Sequence, residues 1–215
     1  MATEIRKVGV IGAGLMGNGI AHVAALARRR RGLKVQGMKI SDVGVIGAGQ
    51  MGSGIAHVVA LGGYDVALND IARDKIDSAM ELIDHNLTRQ VKSGRIDEKQ
   101  REAALGRIRP AATLADLSQC DLVIETATED EAVKRRILGE LSKVLKPDAL
   151  IGTNTSSISV TRLAASTDRP EKFIGIHFML PAPLMELVEL IRGIATGDQT
   201  FELCKEFVTK LNKTI

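Results

Sequence analysis

Tryptophan is absent from these 215 residues, and one tyrosine and four phenylalanines are the whole aromatic complement. So few rings provide no stacking platform for nucleobases, which argues against a nucleic-acid partner. Cysteine is scarce as well. Cys120 and Cys204 stand alone without a C-x-x-C pair, so the expected reading is two reduced, buried thiols in a cytoplasmic protein. His22, His57 and His85 have no acidic or cysteine partner at ligand spacing, so they read as structural and no metal site is expected. The net charge of +3 is too small to call for a polyanion. One stretch, Val8 to Leu26, runs 19 residues without a formal charge and is followed by Arg28 to Arg31. Five glycines, Asn18 and His22 make it a poor membrane span, so no membrane partner is expected.

Against these absences stands one organised stretch, Val43 to Asp70. Val43, Val45 and Ile46 suit a strand buried on both faces. Gly47, Gly49 and Gly52 follow at G-x-G-x-x-G spacing: one for a sharp turn, one for close approach to a diphosphate, one for close packing of helix on strand. A helix beginning near Gln50 and Met51 aims its N-terminal amides at that diphosphate. Val66 to Asn69 reads as the next strand, and Asp70 follows 18 residues after the last glycine, where a carboxylate accepts hydrogen bonds from an adenosine ribose. An acid there disfavours a 2′-phosphate, so the expected cofactor is NAD rather than NADP. Asp70 also stands where it could cap the following helix.

The same motif occurs earlier. Val8 to Leu26 repeats Val43 to Leu61 with three differences, Leu15/Gln50, Asn18/Ser53 and Ala24/Val59, at an offset of 35 residues. Only the second copy is followed by a strand and an acid, so it is expected to take the first central strand. Gly12, Gly14 and Gly17 are then a spare turn. The expected organisation is a duplicated βα segment with a basic linker over 1–42 and a dinucleotide-binding domain over 43–215.

Downstream, apolar residues at helical spacing (Ile76, Met80, Ile83, Leu87, Val91) mark a helix over 71–91 that stops at Gly94. With a second helix over 97–105 it makes a helical hairpin. Further strands are expected at 121–125, 149–153, 173–177 and 187–191. Helices are expected at 130–145, with Val133, Ile137, Leu141 and Leu145 on one face, and at 198–211. The alternation predicts an α/β, Rossmann-type doubly wound, mostly parallel sheet with a helical hairpin insertion.

GVIGAGQMGSGIA with a downstream Asp, then IETATED, NTSSISV and GIHFMLPAPLMELVELI, resembles the 3-hydroxyacyl-CoA dehydrogenase family, with the short-chain 3-hydroxybutyryl-CoA branch nearest. The resemblance covers Val43 to the end of the chain, and Val8 to Leu26 a second time. It implies NAD-dependent oxidation of a short-chain (3S)-3-hydroxyacyl-CoA to the 3-oxo thioester in fatty acid metabolism. A secondary alcohol needs a base for its proton. His177 is the candidate, Glu189 the carboxylate that orients it, and Ser156 a hydrogen-bond partner for the substrate oxygen. By the same resemblance Glu129, Lys134 and Asn154 lie along the nicotinamide half of the cofactor, and Lys92 on the hairpin is a weaker candidate for contacting CoA. Each has a plainer reading: His177 as a satisfied core histidine, Ser156 as a helix cap.

Two features depart from the family. Leu180 stands where H-F-x-N-P has an amide, and the chain stops at Ile215, before the helical domain that in the family closes the substrate site and makes the dimer. The expectation is therefore weak or absent activity for this chain alone, with a homodimer or a separate chain supplying the missing wall. A non-catalytic NAD-binding module, or a structural protein retaining the fold, is the alternative.

Overall fold

The computed structural model describes residues 39–215. The spare glycine turn at Gly12, Gly14 and Gly17, His22 and the Arg28 to Arg31 run lie outside the described residues.

Seven strands form one sheet: β1 (Asp42–Ile46), β2 (Asp65–Asn69), β3 (Ile108–Ala111), β4 (Leu122–Glu125), β5 (Leu150–Thr153), β6 (Phe173–Phe178) and β7 (Val188–Ile191). Their order is β3-β2-β1-β4-β5-β6-β7, parallel throughout except for the final β6–β7 pair. The order reverses between β1 and β4, and in an open α/β sheet ligands sit outside the carboxyl ends of the strands at such a switch point. β3 was not foreseen. IRPA has no apolar run, and Pro110 cannot donate to a ladder on both sides, which restricts it to the sheet edge where it is found.

Among the described residues six α-helices cover the two faces: α1 (Gln50–Leu61), α2 (Arg73–Lys92), α3 (Glu98–Gly106), α4 (Glu131–Val144), α5 (Val160–Ala164) and α6 (Asp198–Lys210). Because strand side chains alternate, Val43 and Val45 of β1 join one core with Ile55 of α1, Ile83 of α2 and Phe207 of α6. Ile46 and Val123 join the opposite core with Leu138 and Leu141 of α4 and Leu163 of α5. Both layers are built of buried apolar side chains, and their removal from water holds helices and sheet together. The α2–α3 hairpin is locally specified. Gly94 adopts φ +71°, which ends α2, and Asp97 with Gln100 makes a reciprocal capping box that starts α3.

The expected apolar face of α4 holds at Leu141 and Leu145, which are buried, and at Ile137, which packs against the core, but departs at its first turn. Val133 is only half-buried, while Lys134, Leu138 and Leu141 face inward. Lys134 is tolerated on this buried face because its ammonium meets the Glu125 carboxylate. Cys120 and Cys204 are buried and free; burial, helped by Asp42 at Cys120, pushes both thiols up to about 12. His85 is exposed. Among the described residues no helix is long and apolar enough to cross a membrane, and no group of three acidic, histidine or cysteine residues is poised to hold a metal.

His57 on α1 is 1% exposed, with Nε2 3.1 Å from Nε2 of Gln90 on α2 and Nδ1 without a partner. Burial pulls its pKa from 6.5 to about 4, opposed by the Gln90 bond and reinforced by Lys213. The unfolded chain therefore takes up a proton that the folded one refuses between those values. Stability is expected to fall as pH drops through that window, by up to about 3 kcal/mol, and to be unaffected by this group above pH 7. Urea denaturation at pH 7, 5.5 and 4 measures the slope, and His57→Leu should flatten it. Equal slopes for the two proteins would show that the buried ring titrates like a free one.

Candidate active site

The carboxyl edge of the sheet gathers loops from five neighbouring strands. After β1, Gly47 takes φ +98°, and its amide donates to the Asn69 carbonyl at 2.8 Å. A Cβ added at Gly52 would sit 1.7 Å from the Gly47 carbonyl oxygen, so only glycine lets α1 start this close to the strand end. At Gly49, by contrast, an added Cβ meets no protein atom within 4 Å. That glycine caps α1, whose first-turn amides face outward with no side-chain cap. Open space over unsatisfied amides is what an anionic diphosphate requires.

Asp70 follows β2. One of its oxygens accepts from the Ala48 amide in the glycine turn at 2.8 Å, the other from the Ala72 amide at 3.1 Å. The cap of α2 is Ala72 rather than Asp70, so this carboxylate ties the two loops together instead of closing a helix.

Beyond β4 and β5 lies a polar network. Glu125 and Lys134 are 0% and 1% exposed, and the ammonium lies 2.8 and 3.0 Å from the two carboxylate oxygens. Thr153 donates to the same carboxylate at 2.7 Å, and so does the Ala127 amide at 2.7 Å. Lys134 also donates to the Ala127 carbonyl and lies 3.7 Å from Glu129. Glu129 in turn accepts from the amides of Ser156 and Ser157 and the hydroxyls of Thr155 and Ser157. Burial alone would push the Glu129 carboxyl up, but the Thr155 and Ser157 hydroxyls, Lys134 and the Ser156 amide hold it below the usual carboxylate range. Ser156 does not cap the next helix: Ser159 does, accepting from Arg162. Ser156 is exposed and turned toward Glu129, with the hydroxyl 3.4 Å away. Asn154 spends its carbonyl oxygen on the Phe178 amide at 2.8 Å, which fixes the loop after β5 against β6.

His177 on β6 stands opposite Glu189 on β7 in register, and its Nδ1 lies 2.8 Å from the Glu189 carboxylate. A carboxylate only accepts, so the proton sits on Nδ1 and the lone pair on Nε2. The imidazole is oriented with a free acceptor, as a general base needs.

A cleft of about 490 Å³ opens between α1, α2 and the loop joining β6 to β7. Apolar side chains (Leu82, Leu180, Pro183, Leu184) line it together with Arg89 and Arg95. Lys92 is fully on the outside of α2 and does not line it. Arg89 and Arg95 are exposed as Lys92 is, so only their place along the cleft sets them apart. Glu125, Thr155 and Ser157 also escaped the sequence reading. IETATED carries three acids, and only the fold tells which one is buried.

The profile of the 3-hydroxyacyl-CoA dehydrogenase NAD-binding domain matches residues 42–215. The chain belongs to this family. A 3-hydroxybutyryl-CoA dehydrogenase of Bradyrhizobium diazoefficiens is 63% identical over 215 residues, covering 100% of this chain and 61% of that protein. One from Mycobacterium tuberculosis is 43% identical, covering 100% of this chain and 64% of that protein. The crystal structure of the (S)-3-hydroxybutyryl-CoA dehydrogenase from Ralstonia eutropha superposes with a TM-score of 0.80 at 39% identity, over 81% of this chain and 62% of that one. The chain thus spans under two thirds of the length of these relatives.

The family's cofactor is NAD, and the residues present fit it: an open face at Gly49, free amides on α1 and a carboxylate ending β2. Lys134, however, has its ammonium buried against Glu125 and 3.7 Å from Glu129. Removing one member of this dry pair leaves a charge without a partner. Glu125→Gln and Lys134→Met are each expected to cost about 3–5 kcal/mol in urea denaturation, with the double variant recovering a large part. Single variants within about 1 kcal/mol of the parent would show that the pair is solvated in practice.

Proposed function

We propose that this chain is the NAD-binding and base-bearing part of a dehydrogenase that oxidises short-chain (3S)-3-hydroxyacyl-CoA to the 3-oxo thioester. The observation that carries the reading is the His177–Glu189 pair at 2.8 Å on the sheet edge that also bears the glycine turn and Asp70. Residues 43–215 form the dinucleotide-binding domain, with Gly47, Gly49, Gln50, Met51, Gly52 and Asp70 along its adenosine and diphosphate half.

Bound NAD supplies a hydride acceptor. The protein's own groups do the rest. Nε2 of His177 takes the hydroxyl proton, and Glu189 keeps the ring in the right tautomer and stabilises the resulting cation. The exposed Ser156 hydroxyl donates to the oxygen that becomes a carbonyl, once it turns from Glu129. Glu129 and Asn154 hold the nicotinamide side, backed by Lys134. In the cleft, Arg89 and Arg95 suit the phosphates of CoA and the apolar lining suits its pantetheine arm, in place of Lys92. Leu180, half exposed at the mouth, brings an apolar contact where the family has an amide.

These residues form one wall of the reaction site. Leu180, Leu184, Met185 and Leu187 are 50%, 61%, 41% and 41% exposed beside it, which supports a second wall from further polypeptide. An open site leaves reactants wet and poorly oriented, so these 215 residues given NAD and 3-hydroxybutyryl-CoA should form little NADH. Joined to the remaining third of a relative, the protein should turn over, and His177→Asn should lower its rate by roughly a hundredfold or more with NAD affinity kept. Full turnover in the His177→Asn protein would remove the proposed base. NAD binding without turnover in the joined protein would favour a non-catalytic cofactor module.

A further inference from the structure

The strands carrying His177 and Glu189 are joined by a loop, Met179 to Leu187, part of which forms one side of the cleft. Its inner half is held in a bent shape by the amides of Leu184 and Met185, which donate to the Pro181 carbonyl at 3.0 and 3.1 Å. Ala182 is 1% exposed because the loop presses on α1. The point of contact is Gly54, where an added Cβ would lie 3.3 Å from Pro183 and 3.4 Å from Ala182. On the other side stands a residue from far along the chain. The Lys213 ammonium donates to the carbonyls of Ala182 at 2.9 Å and Met185 at 2.7 Å. The next residue, Thr214, continues the contact: its amide donates to the Glu186 carbonyl at 2.9 Å, and its carbonyl accepts from the Val188 amide at 2.8 Å. A cation on two carbonyls is a charge-assisted contact, stronger than a neutral one, and partial burial shields it from water.

We infer that Lys213 is a positioning residue for the substrate wall: it clamps the Pro181–Met185 loop against Gly54 and so sets the width of the cleft. The Lys213 contacts are to backbone carbonyls of the loop, not to the residues assigned above to the cofactor or the reacting atoms. The clamp rests on the reading that acyl-CoA occupies the cleft, whereas the glycine turn and Asp70 lie on other loops. Loss of Lys213 therefore acts on one ligand and leaves the other alone.

Two measurements on the full chain test this. Hydrogen exchange should show Lys213→Met losing protection at the amides of Leu184, Met185 and Val188, with the amides of α1 and β1 unchanged. Calorimetry with acetoacetyl-CoA in saturating NAD should show affinity reduced roughly tenfold or more, with NAD affinity within about twofold of the parent. Lys213→Arg, which can still donate to both carbonyls, should restore both readouts. If Lys213→Met does not fold, Thr214→Pro, which removes the amide that donates to the Glu186 carbonyl, loosens the same loop and should reproduce the split. Unchanged exchange in the loop, or equal losses of NAD and acetoacetyl-CoA affinity, would overturn the clamp. A parent chain that binds no acetoacetyl-CoA while the exchange contrast persists upholds the clamp and removes acyl-CoA from the cleft.

Discussion

The first turn of α1 lies against the end of β1 with no room for a side chain between them. At Gly52 a single added carbon would overlap the Gly47 carbonyl, so the distance between strand end and helix start is set by the absence of an atom. That closeness brings the helix amides to the sheet edge, and it lets the Ala48 amide reach Asp70 on the neighbouring loop. A turn of greater radius would separate the amides from the carboxylate. Phosphates and ribose could not then be met by one rigid surface.

The other half of the site is held by charge instead of by close approach. Glu125 and Lys134 neutralise each other in the dry layer under the loops that follow β4 and β5, and Thr153 and Ala127 satisfy the remaining acceptor capacity of the carboxylate. Above this layer Glu129 gathers the Thr155–Ser157 turn onto one oxygen. Farther along the edge, the antiparallel register of β6 and β7 sets His177 opposite Glu189. The turn after β1 thus depends on glycine geometry, and the loops after β4 and β5 and the β6–β7 pair on hydrogen-bonded carboxylates. These are separable physical devices on one sheet.

Much of this arrangement is legible in the residues, and the reasons differ from place to place. The glycine spacing, the apolar strands and Asp70 are local patterns whose meaning hardly depends on the rest of the chain. His177 and Glu189 fall on adjacent strands joined by a short loop, so their sequence separation already implies nearness. Lys134 defied the periodicity of α4 because such patterns count lysine as a solvent-facing residue. Only the carboxylate of Glu125, buried on a different element, reverses that assignment. β3 carries a proline and too few apolar residues to announce a strand, and its place is given by its neighbour β2. Which cation of the hairpin faces the cleft depends on how α2 is rotated against α1, a tertiary fact. The contact of Lys213 with Ala182 joins positions 31 residues apart and has no local signature at all.

The central claim is that the turn at Gly47–Gly52 with Asp70 is where the dinucleotide lies. Gly49→Val tests it most directly, since the site of the added side chain is empty of protein atoms and the backbone there is extended. Titrating NADH fluorescence against parent and variant of equal thermal stability should show the variant's affinity reduced by at least roughly a hundredfold, because the added methyls occupy the path to the amides. A stable variant that binds NADH as tightly as the parent would contradict the account.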